Sequence, residues 1–132
     1  MAIQIGKDFK YRGKTEEELK ELDTREFAKL LKSRQRRTVL RQFNVIEKFI
    51  ERCNKKIEKK KPIRTHLRDL VIVPKMLGMV INIYNGKAYV GVKITAEMLG
   101  HRLGEFSLTR GRVQHGTPGI GATRSSAAMS VK

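Results

Sequence analysis

The clearest hydrophobic pattern in the chain is a stripe of apolar residues between positions 38 and 60. Successive members are separated alternately by four and three positions, the period of one face of an α-helix. They are Val39, Phe43, Ile46, Ile50, Cys53 and Ile57, and Leu40 and Phe49 widen the face. Basic residues occupy much of the remainder, and three lysines precede Pro62, where a helix would end. The pattern predicts one long amphipathic helix over residues 38–60.

Alternation with a period of two predicts a β-hairpin over residues 79–94. Asn85-Gly86 lies at its centre, and this pair favours a type I′ turn, in which both central residues have positive φ. A two-residue loop would give the pairs Ile83–Ala88, Ile81–Val90 and Met79–Val92. One face of the hairpin would then be wholly apolar, and a slip of one residue would destroy that face.

Shorter segments predict the remaining elements. Leu70-Val71-Ile72-Val73 indicates a buried strand that ends before Pro74. Thr15-Glu16-Glu17-Glu18 is a capping-box pattern that would begin a short helix, and Asp23-Thr24 would begin another. Thr95 would cap a last short helix ending at Gly100. Together these elements predict an α+β fold, in which the long helix packs on a small antiparallel sheet.

Changes in composition along the chain predict three regions. Residues 1–37 form a helical N-terminal extension, residues 38–109 an α+β core, and residues 110–132 a basic tail rich in glycine and serine. From Phe106 to the end there is no acidic residue, and few apolar side chains are available to bury. The tail is therefore either disordered or ordered by a partner, because it cannot offset the entropy of ordering alone.

The charge of the chain indicates a polyanionic partner. The 132 residues include 29 Lys and Arg against 13 Asp and Glu, a formal net charge of +16. Six of the 13 acids lie between Glu16 and Glu26, so the rest of the chain is more basic still. Such a field attracts nucleic acid or an anionic membrane surface. We favour nucleic acid, because the apolar helix stripe is needed to cover the hairpin and the helix lacks Trp.

The sequence gives little support for an enzyme active site or a metal site. His66, His101 and His115 are far apart in sequence, and the residues show no metal-ligand spacing. Cys53 is the single cysteine and lies on the helical stripe, which indicates a buried thiol and an intracellular setting. Tyr84 and Tyr89, on the polar hairpin face, either pack against their cross-strand neighbours or stack on bases. We expect no enzymatic activity, no cofactor and no membrane association.

The region around the hairpin resembles the small-subunit ribosomal protein nineteen family, of the archaeal and eukaryotic type. The motif comprises Asn85-Gly86-Lys87, Ile94, Leu99-Gly100, Leu103-Gly104-Glu105-Phe106 and Thr109. Upstream, residues 64–68 and 71–78 also resemble the family core, and the likeness covers about residues 38–112. Residues 1–37 resemble the N-terminal extension of that branch, and the tail resembles it more loosely.

The resemblance implies a non-enzymatic component of the cytoplasmic small ribosomal subunit that binds rRNA in the subunit head. It also implies that small-subunit ribosomal protein thirteen is a neighbour, that the large-subunit contact is nearby, and that the tail extends toward the A-site tRNA. No self-oligomer is expected. The same charge also permits a free-standing RNA-binding chaperone or an enzyme acting on nucleic acid.

The predicted RNA-binding residues come from two sources. Matching positions of the family suggest Arg64, His66, Arg68, Lys75, Lys87, His101 and Arg102, with Arg110 and Arg112 in the tail. Clustered charge beside the long helix adds Arg34, Arg36, Arg37, Lys60 and Lys61. Lysine supplies a point charge for phosphate, and arginine supplies a planar fork that also stacks on bases.

Overall fold

A computed structural model describes residues 9–113 of the chain. Its helices are α1 (Glu16–Glu21), α2 (Thr24–Leu30), α3 (Ser33–Arg41) and α4 (Phe43–Glu58), and its strands are β1 (Ile63–Thr65), β2 (Val80–Tyr84) and β3 (Tyr89–Lys93). Helices and a small sheet share one hydrophobic core, which confirms the predicted α+β class. Most of the predicted tail lies outside the described residues.

The two N-terminal helices begin where capping residues predict them. The Thr15 hydroxyl accepts from the Glu18 N–H at 3.5 Å, and the Glu18 carboxylate accepts from the Thr15 N–H at 3.1 Å, so the predicted capping box is formed. Leu19 and Phe27 are fully buried. These helices therefore pack into the core and do not project from it as a separate unit.

The predicted long helix is two helices, which corrects the single helix expected over residues 38–60. Gln42 ends α3 and precedes α4, with φ −98° and ψ 15°, outside the helical region. The period of the stripe nearly survives this break, so the sequence pattern does not reveal it. Ile46, Ile50 and Cys53 are buried as predicted, whereas Ile57 and Leu40 are about half exposed.

The sheet is mixed and has the order β1-β2-β3. The hairpin strands β2 and β3 are antiparallel, whereas β1 pairs with β2 in parallel, so the expected wholly antiparallel sheet is wrong in this respect. β1 is a three-residue strand that the sequence analysis missed, because three residues are too few to show a hydrophobic period; in the structure they are buried, exposed and buried in turn. Helix α4 leads directly into it and lies against it.

The hairpin has the predicted faces but a different register. Ile83 pairs with Val90 and Ile81 with Val92, a shift of two residues from the expected pairs. Because side chains alternate with a period of two, this shift keeps the same side chains on the same face. Hydrophobic alternation excludes a slip of one residue but does not distinguish registers two residues apart.

The longer loop between β2 and β3 explains the shift. Asn85 accepts from the Lys87 and Ala88 N–H groups through its side-chain oxygen, at 2.9 and 2.8 Å. Gly86 has φ +98°, but Asn85 is not among the described residues with positive φ, so the type I′ turn was wrongly predicted. The Asn85 side chain accepts two backbone hydrogen bonds within the loop, and this arrangement replaces the type I′ turn that Asn-Gly usually forms.

The segment Leu70-Val71-Ile72-Val73 is fully buried, as predicted, but it is not a strand of the sheet. It is extended and joins the segment after Leu99 through an isolated bridge between Val71 and Arg102. The Ile72 N–H donates to the His101 carbonyl at 2.8 Å, and the Leu103 N–H donates to the Leu70 carbonyl at 3.0 Å. These bonds hold residues 100–104 beside the core.

Candidate nucleic-acid interface

The sheet has one buried face and one open face, and the open face carries the candidate site. Strand register places Val80, Asn82, Tyr84, Tyr89, Gly91 and Lys93 on the open side, with Arg64 in line with Asn82. We call this set, together with His66, the outer sheet face. None of its members is acidic. The opposite side contributes Ile63, Ile81, Ile83 and Val92 to the core.

Three rings at one end of this face form a cluster. The ring centroids of Tyr84 and Tyr89 are 5.2 Å apart, and the His66 ring lies 4.4 Å from that of Tyr84. The His66 Nε2 and the Tyr89 hydroxyl are 2.8 Å apart, within hydrogen-bond distance. Tyr84 donates its hydroxyl to the Gly86 carbonyl at 3.0 Å. The rings are therefore held in place before any ligand arrives.

Arg64 brings positive charge to these rings, and two lysines add charge elsewhere on the same surface. The Arg64 guanidinium carbon lies 5.3 Å from the centre of the Tyr89 ring, a cation–π arrangement. Lys93 lies exposed at the other end of the face, and Lys87 lies exposed in the hairpin loop. Aromatic rings beside cations form a surface on which bases stack and phosphates are neutralised. The two roles weighed for Tyr84 and Tyr89 are compatible, because the rings pack on each other and Tyr89 stays 38% exposed.

Two of the predicted RNA-binding cations are engaged within the protein. The half-buried Arg68 donates to the carbonyl oxygens of Tyr84 at 2.6 Å, Gly104 at 2.9 Å and Ser107 at 2.6 Å. Arg36 likewise donates to three carbonyls at the end of α2, those of Ala28, Lys29 and Leu31. Both guanidinium groups therefore join backbone segments, and their contacts with RNA stay predictions.

Lys75 lies in an ion-pair cluster that joins the N-terminal helices to the core. Its ammonium nitrogen is 3.2 Å from an Asp23 carboxylate oxygen and 3.1 Å from a Glu47 oxygen. Hydrogen bonds to Glu47 and Asp23 raise the pKa of Lys75, although burial opposes them. Backbone and Lys75 hydrogen bonds lower the pKa of Asp23. The Thr24 hydroxyl also donates to Glu47, so the first residue of α2 contacts α4 at this cluster.

The other predicted RNA-binding residues lie at several places on the surface. His101 contacts the Glu105 carboxylate at 2.7 Å, and the half-buried Arg102 donates to the Thr38 hydroxyl at 3.4 Å. Exposed positions are held by Arg34 and Arg37 on α3, Lys60 and Lys61 after α4, and Arg110 and Arg112 near the end of the described chain. The structure thus gathers Arg64 and His66 with the tyrosines and leaves these other residues apart.

Sequence reasoning missed Lys93 and Asn82 as members of the site. Both lie on the outer sheet face, and Asn82 donates to the Ile63 carbonyl at 2.9 Å, which helps to hold β1 in place. Strand alternation from Tyr89 would have located Lys93, since residues two and four positions along a strand share a face. The pairing of Arg64 with this face has no such local signal, because it depends on β1.

The described part of the chain contains neither a metal site nor a membrane-spanning helix. Within residues 9–113, no group of three or more His, Cys, Asp or Glu residues is arranged to hold a metal ion. In the same range, no helix combines the length and the apolar character that crossing a bilayer requires. Cys53 is buried as predicted, and burial raises the pKa of its thiol.

Comparison with known protein families gives a match that covers more than half of the chain. The family model described as ribosomal protein S19 matches residues 32–115. The matched range contains α3, α4, all three strands and the whole outer sheet face. Helices α1 and α2 precede it.

Proposed function

The chain belongs to the ribosomal protein S19 family, and from that premise we propose that its outer sheet face is a principal contact with rRNA in the head of the small subunit. Membership implies a protein of the small ribosomal subunit that binds rRNA. The proposed role is structural and non-catalytic, in the cytoplasm. Protein thirteen of the small subunit, the large-subunit contact and the A-site tRNA are its proposed neighbours.

The observation that carries the proposal is the joint presence of rings and cations on an open sheet face without acids. Bases that leave a helix can stack on Tyr84, Tyr89 and His66, while Arg64, Lys87 and Lys93 neutralise the adjoining phosphates. The scattered cations Arg34, Arg37, Lys60, Lys61 and Arg102, together with His101, extend contact to further RNA segments. Arg110 and Arg112 lead toward the tail, which we propose approaches the A-site tRNA.

Sedimentation of a cell lysate tests the ribosomal assignment. We expect the full chain, carrying a small tag, to travel with small subunits on a sucrose gradient and to stay with them after a salt wash. A chain that remains at the top of the gradient while still binding RNA would support the alternative of a free-standing chaperone. Cross-linking within the purified subunit would then test contact with protein thirteen.

A matched pair of substitutions tests the outer sheet face. Tyr89→Leu removes the exposed ring, and Tyr89→Phe keeps the ring but loses the hydroxyl that contacts His66. Because stacking contributes about 1–3 kcal/mol per base, we expect Tyr89→Leu to weaken binding to a small-subunit rRNA transcript roughly tenfold. Tyr89→Phe should stay within about twofold of the unchanged protein. Binding by Tyr89→Leu that matches the unchanged protein would place the RNA elsewhere, and equal losses in the two variants would mean that the hydroxyl and not ring stacking makes the contact.

The salt dependence of the same binding tests the electrostatic part. A protein that neutralises about 6–10 phosphates shows a steep fall in affinity between low and moderate salt, because counterions are released on binding. Arg64→Met should lower the slope of log affinity against log salt by about one. An affinity that hardly changes with salt would contradict RNA binding by charge neutralisation.

A further inference from the structure

A cavity opens between α4 and β1, beside the outer sheet face. Its volume is about 450 Å³, within the range of small-ligand sites. Helix α4 contributes Phe49, Arg52, Cys53 and Lys56, and β1 with the residues after it contributes Ile63–Leu67. Phe49, Cys53 and Ile63 are buried, so the inner wall is apolar, whereas Arg52, Arg64 and His66 are exposed.

The mouth of this cavity is positively charged. Arg52, Lys56 and Arg64 all line it, and none of the described lining residues is acidic. The Arg52 guanidinium carbon lies 6.0 Å from the Phe49 ring centre, and its Nε donates to the Lys48 carbonyl at 3.3 Å. Lys56 and Arg52 each lower the pKa of the Cys53 thiol, against the larger effect of burial. These cations therefore lie close to the apolar inner wall.

The cavity also borders a free strand edge. β1 is the first strand in the order β1-β2-β3, so within residues 9–113 no strand pairs with its other side. An edge strand presents backbone N–H and C=O groups in a row, which are available to hydrogen-bond a polar ligand. The apolar wall suits the flat face of a nucleotide base, the backbone edge suits the polar edge of the same base, and the cationic mouth suits the phosphate.

We propose that this cavity receives a single unstacked nucleotide of the rRNA. The base lies against Phe49 and Ile63 with its edge toward β1, and its phosphate meets Arg52, Lys56 and Arg64. Arg64 also lies over Tyr89 on the outer sheet face. The inserted nucleotide and the bases that stack on that face therefore belong to one continuous stretch of RNA. This inference rests on the proposed function, because it describes how the same RNA is held next to that face.

Two charge-matched double variants test the proposal. Arg52→Gln with Lys56→Gln removes two cations at the cavity, and Lys48→Gln with Lys55→Gln removes two exposed cations of α4 that do not line it. Both lose the same net charge, so long-range attraction falls equally. For a transcript of the rRNA head domain, we expect the cavity variant to bind about tenfold more weakly than its control. Equal affinities would overturn the proposal.

Ultraviolet cross-linking of the small subunit, followed by mass spectrometry of peptides, gives an independent readout. We expect nucleotide adducts on residues 49–67, and we expect them to disappear in the cavity variant while adducts on Tyr84 or Tyr89 persist. Adducts on the tyrosines alone would refute the inserted nucleotide and leave the proposed function standing. Peptide–peptide links to the cavity would show that a neighbouring protein occupies it, which also overturns the proposal. Failure of the chain to bind rRNA at all would instead refute the proposed function.

Discussion

Arg64 and Arg68 lie four residues apart, yet their side chains do opposite things. Arg64 is exposed beside Tyr89 on the outer sheet face, where its donors are free to meet phosphate. Arg68 is half buried and donates to the three carbonyl oxygens of Tyr84, Gly104 and Ser107. The same residue type is thus a structural tie at position 68, whereas at position 64 it is exposed, and there we propose that it binds RNA. Sequence and net charge do not separate these roles, because the acceptors of Arg68 are backbone atoms from distant segments.

The largest expected difference between the two arginines is in stability. Arg68→Met keeps the aliphatic stem but leaves three carbonyls without their charged donor, so we expect it to lower the free energy of unfolding by about 3 kcal/mol. Arg64→Met should change it by less than about 0.5 kcal/mol, since its guanidinium is exposed. Urea unfolding of both variants measures the difference. Similar losses of unfolding free energy in both variants would mean that Arg68 is no more important for the fold than Arg64.

The second prediction concerns the close approach that Arg68 requires. A Cβ added at Gly104 would lie 2.9 Å from the Arg68 carbonyl oxygen and 3.0 Å from its Cβ. Gly104→Ala must therefore push these segments apart, and we expect a loss of about 2 kcal/mol in unfolding free energy. Gly111→Ala is the control, because an added Cβ there meets nothing within 4 Å. An unchanged unfolding free energy in Gly104→Ala would mean that the segments containing Gly104 and Arg68 are not closely packed.

The third prediction addresses the loop that supports the outer sheet face. Gly86 has φ +98° and ample space, so Gly86→Ala adds backbone strain without a clash. We expect a loss of about 1 kcal/mol, and a smaller loss for Gly86→Asn, because Asn tolerates positive φ better. Thermal unfolding at matched salt compares the two. Stability that is identical for Ala, Asn and Gly would contradict the loop geometry.

The smallest expected effect is the pH dependence of the Lys75 cluster. Because the pKa of Asp23 is lowered in the folded protein, its stabilisation is present above the ordinary value of 3.8 and is lost as pH falls through the lowered folded value. The raised pKa of Lys75 contributes stability below 10.5, which is lost as pH rises through the folded value. Partly exposed pairs contribute under about 1 kcal/mol, so the slopes are shallow.

Lys75→Met isolates this cluster, since it removes the shared cation and leaves both carboxylates. The acid-side slope of unfolding free energy against pH should flatten in the variant, and the alkaline-side slope should flatten as well. Lys93→Met, an exposed cation with no ion pair within the described residues, is the control. If the control flattens the slopes equally, general charge repulsion and not the Lys75 cluster sets the pH dependence.

Local signals predicted the parts of the fold that depend on local physics. The Thr15 capping box, the buried Cys53 and the apolar hairpin face follow from spacing of a few residues, and the structure confirms them. The break at Gln42, the two-residue register shift and strand β1 do not, because each depends on tertiary contacts. The hairpin shift shows the limit most clearly, since both registers satisfy the same hydrophobic pattern.

The residues of the candidate site also fall into those that local sequence signals predict and those that depend on tertiary contacts. Tyr84 and Tyr89 share a face by alternation alone, so the sequence could bring them together. Arg64 and His66 join them only because β1 pairs with β2 in parallel, across about twenty residues of chain. The internal roles of Arg36, Arg68 and Lys75 were equally hidden, since their partners lie in other elements. The predicted RNA contacts of all these residues stay predictions.

The tie made by Arg68 also bears on how the chain reaches its final form. Its three acceptors lie 16, 36 and 39 positions further along the chain. Closing loops of that length costs entropy before any bond is gained, so we expect this junction to form late, after the hairpin. During synthesis the Arg68 guanidinium can reach these acceptors only after Gly104 and Ser107 have been translated, so we expect residues 108–113 to take up their direction only in that last step.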